Sequence, residues 1–572
     1  LPSSPTDIEE LVWKHALLNA YRHEGRADPG AVIGKVLGER PELRPRAREL
    51  IPVVRQVVEA VNRLDRGEQL RLLEARYPGL LERPARPEER RLPPLPGAVM
   101  GRVVTRFPPE PNGYPHIGHA KAAVLDEEYA RLYQGRFILR FDDTNPAQER
   151  REFYDAIREG LAWLGVKPDL EKNTSDDLER LYQYAERLIE GGCAYVCTCR
   201  REEVRRGRAE GLECGCRSRG VEANLEEWHR MFTEYGANEA ILRFRGDMRS
   251  PNTVMRDPTL FRIVEEPHPL QGDRYRVWPT YDFSAPIEDS LDGVTHALRT
   301  KEYELRDELY YRILDCLGLR KPRLIEFSRL ELRGTPVSKR KLKPLVEEGL
   351  VQGWDDPRLP TLRGLERRGI LPEAVREFVL SLGVGKAEAT PTWDLLEAVN
   401  RKLLDPVAKR LYFVPDPVEL VVREAPPVAA RLRLHPDRPL GERVVETAGR
   451  FHIAGQDAAR LQPGHRLRLL ELYNIEVVSV RDGRVEAKYI GREVVEGIPK
   501  IQWVAWSQGY EFQVLVTGPL FIDGRFNPES LKRVAGLAEE VLARLPAGER
   551  VQLVRFGFCR IDRPGVAVLT HR

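Results

Sequence analysis

Between Asp7 and Ala75 apolar side chains recur every three or four positions, as in Leu11, Trp13, Ala16, Leu17 and Ala20, with a small-residue patch at Gly30-Ala31-Val32-Ile33-Gly34. That period predicts a helical module. The pattern breaks over 83–97, where proline and charge dominate, a composition that suits a linker. Beyond it, the β-branched run Arg102-Val103-Val104-Thr105-Arg106-Phe107, a Pro/Gly loop, a helical stretch and Arg136-Phe137-Ile138-Leu139-Arg140-Phe141 predict a βαβ unit. Strand and helix patterns alternate on to about Leu317, as in a doubly wound parallel sheet, with an insertion between about Cys193 and Asp273. After Leu404 the segments shorten: Ile475–Val480, a turn at Asp482-Gly483 and Val485–Ile490 predict a hairpin. Strands at Ile501–Trp506, Phe512–Val516 and Val551–Phe556, with one helix from Pro528 to Leu545, complete an expected β-barrel region.

Composition sharpens this only in places. A chain of 572 residues exceeds one core, and roughly 100–200 residues per domain predicts about three to five units. The formal charge of +3 is the difference between 91 basic and 88 acidic side chains, so any nucleic-acid binding must come from local basic faces. No run of about twenty apolar residues occurs, and Leu1-Pro2-Ser3-Ser4-Pro5 does not read as a secretory leader; a cytoplasmic protein with no membrane partner is expected. Seven cysteines in so long a chain predict no disulfide framework. Cys197-Thr198-Cys199 and Cys214-Gly215-Cys216 nevertheless form two Cys-x-Cys pairs spaced to close a four-sulfur zinc site, with Cys193 as a spare sulfur. Four protein ligands would make that Zn²⁺ structural, because no position is left for substrate.

Phe107-Pro108-Pro109-Glu110-Pro111-Asn112-Gly113-Tyr114-Pro115-His116-Ile117-Gly118-His119-Ala120-Lys121 leaves a strand and opens a helix. A helix N-terminus carries free N–H groups and a positive dipole end that favour a triphosphate. Gly118 admits close approach, and His116 and His119 supply donors as charge grows on an attacked α-phosphate. Far downstream, Val337-Ser338-Lys339-Arg340-Lys341 offers a movable ammonium that could meet the same charge.

The FPPEPNGY segment with its HIGH-type motif closely resembles the signature of glutaminyl- and glutamyl-tRNA synthetases, and Val337–Lys341 resembles their KMSKS-type loop. Further similar segments are Leu139-Arg140-Phe141-Asp142-Asp143-Thr144-Asn145-Pro146, Trp278-Pro279-Thr280-Tyr281-Asp282-Phe283, Gly353-Trp354-Asp355-Asp356-Pro357-Arg358 and Arg555-Phe556-Gly557-Phe558-Cys559. Taken together the chain looks most like the archaeal glutamyl-tRNA synthetases. The resemblance implies a class I ligase that uses ATP and Mg²⁺ to activate L-glutamate and charge tRNA(Glu), with tRNA(Gln) open as a second substrate, and an expected monomer.

The resemblance also assigns residues. His116, His119 and Lys339 would be catalytic, and Gly118, Lys121 and Ser338 would join them around ATP. Arg106, Asp142 and Tyr281 would contact the amino acid. Arg299 would pair with the γ-carboxylate where glutaminyl enzymes tend to carry a small uncharged residue, which separates this reading from its nearest rival. A tRNA-independent nucleotidyltransferase is the rival from another class. The expected organisation is a helical module and linker (1–97), a Rossmann-type catalytic domain in two halves (98–192 and 274–330), an inserted acceptor-end domain with the zinc site (193–273), a connective helical domain with the lysine loop (331–404) and anticodon-binding β-barrels (405–572). Arg200, Arg201, Arg205, Arg206 and Arg208 beside the cysteines are candidate contacts to the tRNA acceptor end.

Overall fold

The computed structural model describes residues 5–22, 25–40, 43, 45, 47–77, 92–387, 390–481 and 483–572. The expected linker falls outside these residues up to Arg91, as do Leu1–Ser4 and Asp482 of the expected hairpin turn. The chain divides into two compact units, Leu1–Arg91 and Leu92–Arg572.

In the first unit, α1 (Pro5–Arg22), α2 (Pro29–Glu39), α3 (Ala47–Arg63) and α4 (Arg66–Arg76) share one core. Val12, Ala16, Leu17 and Ala20 of α1 are fully buried, the one-sided stripe that the apolar spacing predicts. The Gly30–Gly34 patch lies inside α2, which starts on Pro29 behind an Asp28 cap whose side chain accepts the Ala31 N–H at 2.7 Å.

The second unit opens with three parallel strands, β1 (Val104–Phe107), β2 (Arg136–Phe141) and β3 (Leu170–Asn173), linked by α5 (Ile117–Leu132) and α6 (Arg151–Trp163). Helix α7 (Leu178–Glu190) then leads into an antiparallel sheet of β4 (Ala194–Cys197), β5 (Ile241–Phe244), β6 (Thr259–Ile263) and β7 (Val277–Pro279), which carries α8 (Arg201–Glu210) and α9 (Val221–Thr233). The chain returns through α10 (Tyr281–Leu291) to the parallel pair β8 (His296–Thr300) and β9 (Arg323–Phe327), joined by α11 (Asp307–Leu317). The Val104 N–H donates to Thr295 Oγ1 at 2.9 Å, and the Thr295 N–H donates to the Val104 carbonyl at 2.9 Å. These bonds set β8 beside β1, so the strands run β3-β2-β1-β8-β9. The order reverses at the β1/β8 junction, the place where an open α/β sheet forms a ligand crevice.

Past α12 (Lys339–Glu347) and three further helices, the chain builds two seven-stranded sheets. The first is formed within 417–505 and contains the expected hairpin, Asn474–Arg481 with Arg484–Gly491. The second takes its strands from 409–415 and 509–571.

Two expectations are corrected here. Pro528–Leu545 is not a helix: Leu531–Glu539 is a strand flanked by short 3₁₀ turns, in register with Gly509–Thr517 along its whole length. Its apolar spacing fits either period. Gly536 goes with the strand, since a Cβ there would lie 2.3 Å from the Val414 carbonyl of the neighbouring strand. The spare Cys193 is also not free, being disulfide-bonded to Cys316 near the end of α11, 123 residues away. The fold creates that pair by packing α7, which leads into Cys193, against α11.

Candidate active site

Helix α5 begins at the histidine loop, and the histidines themselves cap it. His116 Nδ1 accepts the Gly118 N–H at 3.1 Å and His119 Nδ1 accepts the His116 N–H at 3.2 Å. The Ile117 N–H donates to the Pro360 carbonyl at 3.0 Å, and the Leu362 N–H donates to the Pro115 carbonyl at 2.9 Å. The free amides expected at this helix start are therefore already satisfied within the fold. What remains for an anion is the outer edge of each ring: with Nδ1 accepting, the neutral tautomer carries its proton on Nε2 and can donate from there. Burial, reinforced by Arg329, lowers the His119 pKa to about 4, and burial beside His119 and Arg329 holds His116 well below its usual value. Both rings are thus neutral Nε2–H donors near neutral pH. We expect phosphate activation at saturating substrate to show no histidine-linked fall near pH 6.5. A wild-type fall centred there that His119→Asn abolishes would contradict this protonation scheme.

Gly118 is required by packing, because a Cβ would meet the His116 ring at 2.8 Å and approach the Leu330 carbonyl at 3.4 Å. Tyr114 stacks on Trp354 at 5.3 Å between ring centroids, so the Gly353–Arg358 segment braces the loop. Lys339 is the first residue of α12, after Ser338 at its N-cap. Its ammonium reaches 227 residues back to donate to the Asn112 carbonyl and lies 5.6 Å from the centroid of the Phe153 ring. Two motifs remote in sequence therefore meet. Lys121 does not join them: it is buried, and its Nζ donates to the Ser328 carbonyl at 2.6 Å and to Ser328 Oγ at 3.1 Å. One turn beyond Ile117, it lies on the inward face of α5 with Ile117 and Val124, and burial lowers its pKa to about 8. It ties α5 to the end of β9, contrary to the expected place around ATP.

Arg106 from β1, Asp142 just after β2 and Arg299 from β8 come together at the switch point, with Tyr281 from the start of α10. Arg106 is fully buried; its Nε donates to Asp289 Oδ1 at 2.9 Å and its Nη1 to the Leu298 carbonyl at 2.8 Å. Its Nη2 has no partner. Asp142 Oδ1 accepts from Arg140 Nε at 3.0 Å and from Thr174 Oγ1 at 3.1 Å, while Oδ2 is unpaired. Arg299 donates from Nη2 to Asp307 and lies over the Tyr310 ring at 5.4 Å, which leaves Nε and Nη1 buried without acceptors. Buried polar atoms left unpaired are costly unless a ligand completes them. Here the unpaired set comprises guanidinium donors and a carboxylate oxygen, complementary to a substrate bearing carboxylates and an ammonium. Tyr281, its pKa raised to about 12 chiefly by burial, feels the charges of both Arg106 and Arg299 and packs on Tyr303 at 4.8 Å. Sequence reading gives Tyr303, Asp289 and Tyr310 no part in this pocket; the eight-residue spacing of Tyr281 and Asp289 along α10 is the signal that they share a face.

Comparison with known proteins decides the family. The family model described as the catalytic domain of class I (E and Q) tRNA synthetases matches residues 102–406, and two models for that family's anticodon binding domain match 408–491 and 500–562. The chain belongs to the class I tRNA synthetases of the E and Q group. It is 47% identical to the Glutamate--tRNA ligase of Cenarchaeum symbiosum, across 99% of this chain and 100% of that protein. Similar coverage accompanies 45% identity to the Nitrosopumilus maritimus protein and 44% to the Pyrococcus furiosus protein, both also named Glutamate--tRNA ligase. A class I catalytic domain is thus followed by strand-rich anticodon-binding domains, and among the described residues no helix is long and apolar enough to cross a membrane.

This synthetase carries one further cluster. Cys197, Cys199, Cys214 and Cys216 place all four sulfurs within 4.8 Å of one another. The Cys197–Cys214 and Cys199–Cys216 separations are both 3.8 Å. A tetrahedron with Zn–S bonds of about 2.3 Å has edges of about 3.8 Å, so the donor set fits Zn²⁺. Arg243 Nη1, 3.8 Å from Cys197 Sγ and 3.9 Å from Cys214 Sγ, offsets part of the thiolate charge such a site would bring.

Proposed function

We propose that this synthetase is an ATP-dependent glutamate–tRNA ligase. The observation that carries the reading is the unpaired set at the β1/β8 switch point, with the names of relatives matched over their full length as support. Asp142 Oδ2 receives the substrate ammonium. Arg106 Nη2 faces a substrate oxygen, and Arg299 Nε and Nη1 pair with the γ-carboxylate. Glutamine would leave those two donors facing a neutral amide, a loss of roughly 1–3 kcal/mol or more in a buried site.

The reaction has two steps. The substrate α-carboxylate attacks the ATP α-phosphate, releasing pyrophosphate and forming glutamyl-adenylate; Mg²⁺ enters with the nucleotide. His116, His119 and Lys339 stabilise the developing charge, and Gly118 lets the nucleotide approach. Ser338 contributes its place at the start of α12. A terminal ribose hydroxyl of tRNA(Glu) then takes the acyl group and AMP leaves. No enzyme nucleophile is needed, so positioning and electrostatics supply the rate.

The acceptor end is proposed to lie along the inserted sheet. A cleft of about 700 Å³ is lined by Arg201, Arg205 and Arg208 of α8, and it shares Arg208 and Thr259 with a second cleft of about 370 Å³ that includes Tyr281 and Tyr303. This path leads from basic side chains to the amino-acid pocket. The assigned division is a helical module and linker over 1–97, a catalytic domain over 98–192 with 274–330, an acceptor-end domain over 193–273, a connective domain over 331–404 and anticodon-binding barrels over 405–572. A cytoplasmic monomer completes the reading, and charging both purified tRNAs with glutamate tests whether tRNA(Gln) is a second substrate.

Arg299→Cys tests amino-acid choice. In tRNA-dependent charging, glutamate kcat/KM should fall about 10- to 100-fold while glutamine improves relative to it. A wild-type preference for glutamine, or an unchanged ratio in the variant, would refute glutamate selection by Arg299. Activation in this reading needs bound tRNA, so pyrophosphate exchange measured with and without tRNA separates it from a tRNA-independent nucleotidyltransferase.

A further inference from the structure

Asp289 touches none of the unpaired atoms, yet Arg106, Asp142 and Arg299 of the proposed amino-acid pocket all lead back to it. It lies on α10 two turns beyond Tyr281 and is fully buried. Its Oδ1 accepts from Arg106 Nε at 2.9 Å and lies 2.9 Å from Arg140 Nη1. Its Oδ2 accepts the Tyr310 hydroxyl at 2.9 Å. Arg140 in turn donates to Asp142 Oδ1 at 3.0 Å, and the Tyr310 ring is the surface under the Arg299 guanidinium.

We infer that Asp289 is the positioning residue of the amino-acid pocket, one buried carboxylate that orients Arg106 directly, Asp142 through Arg140, and, through the Tyr310 ring it holds, the face of Arg299 whose Nη2 edge is tied to Asp307. The inference rests on the proposed pocket. Its physical basis is that a guanidinium fixed at one edge presents its remaining N–H groups in a set direction. An arginine without that anchor must be ordered by the substrate itself, which weakens binding. The four strands and helices that carry these side chains are separate in sequence, and Asp289 is where their polar side chains meet. A charge-balancing role alone would need no Tyr310 bond, since Arg140 already pairs with Asp142 and with Asp292 at 3.0 Å.

Tyr310→Phe, Asp289→Asn and the control Tyr311→Phe test this in tRNA-dependent pyrophosphate exchange. Tyr311 sits on the same helix but donates to the Pro322 carbonyl at 3.1 Å, outside the pocket. Tyr310→Phe should raise glutamate KM about 10-fold and narrow the glutamate-over-glutamine ratio, and Asp289→Asn should raise it about 10- to 100-fold. ATP KM should stay within about threefold in both, and Tyr311→Phe should leave glutamate KM unchanged. If Asp289→Asn does not fold, Tyr310→Phe decides. The inference is overturned if Tyr310→Phe leaves glutamate KM unchanged, if Tyr311→Phe matches its effect, or if ATP KM rises in step. Arg299→Cys run alongside shows which idea failed: a large effect there with none at Tyr310 overturns only the positioning role, whereas none at either overturns the pocket reading and this inference with it.

Discussion

Replacing Lys339 by alanine should lower the rate of glutamyl-adenylate formation by about 10²- to 10³-fold, the usual cost of removing one preorganised group that meets transition-state charge. The ammonium donates to the Asn112 carbonyl and faces Phe153. In the proposed site, negative charge grows on the attacked α-phosphate beside His116 and His119, which supply only neutral N–H donors. A full positive charge must come from elsewhere. Lys339 at the first position of α12 can swing from its carbonyl perch with the short loop before it. Burial lowers its pKa, and Glu110 opposes the shift. Single-turnover pyrophosphate exchange should show kcat and kcat/KM for ATP falling together, with ATP affinity little changed. A loss below about threefold, or one confined to ATP affinity, would remove Lys339 from the chemistry.

That this lysine and the histidine loop belong together is legible in the sequence, because each motif carries local chemistry. A Pro/Gly loop opening a helix and a basic turn need no tertiary knowledge to suggest phosphate. The cysteine spacing is legible for the same reason. Lys121 is misplaced by sequence reasoning because motif membership says nothing about which side of a helix a residue faces; four residues after the buried Ile117 it had to point inward. The Cys193–Cys316 bond is invisible in the sequence, since its halves are 123 residues apart and only the packing of two helices brings them together.

Asp289 shows the same limit within the site. As one acidic residue on an amphipathic helix it carries no motif, and its meaning arises only when β1, β2, α10 and α11 converge. The strand at Leu531–Glu539 failed differently: its apolar residues satisfy two periods, and the close backbone approach that only a glycine at 536 permits against the Val414 strand goes with the extended one. Local chemistry was therefore readable, and consequences of packing were not. The inserted sheet tests whether the cysteine cluster belongs wholly to the first kind.

Replacing Cys216 by serine, or stripping metal with a strong chelator, should unfold the α8 region and weaken tRNA charging without abolishing it. The four sulfurs join the end of β4 to the 3₁₀ turn Gly215–Ser218, and α8 lies between them. That helix buries no side chain of its own. The small cluster around Tyr195, Cys197 and Cys216 is the apolar material beneath it, so beyond the bonds from Arg256 Nη1 to the Arg208 and Ala209 carbonyls at 3.0 Å the helix is held by its two tethers. Structural Zn²⁺ in small domains contributes roughly 10–16 kcal/mol of apparent binding free energy, far above what that cluster supplies. Loss of metal should therefore free α8 while the parallel sheet stays folded. Hydrogen exchange should show protection lost over 198–216 and kept over β1 and β2. The KM for tRNA should rise more than the KM for ATP, because α8 carries Arg201, Arg205 and Arg208 along the proposed acceptor path. Protein purified without chelator should hold about one equivalent of zinc. Less than half an equivalent, or full protection of α8 after stripping, would mean that the thiols pack without metal and that the tethers are the ordinary contacts of β4.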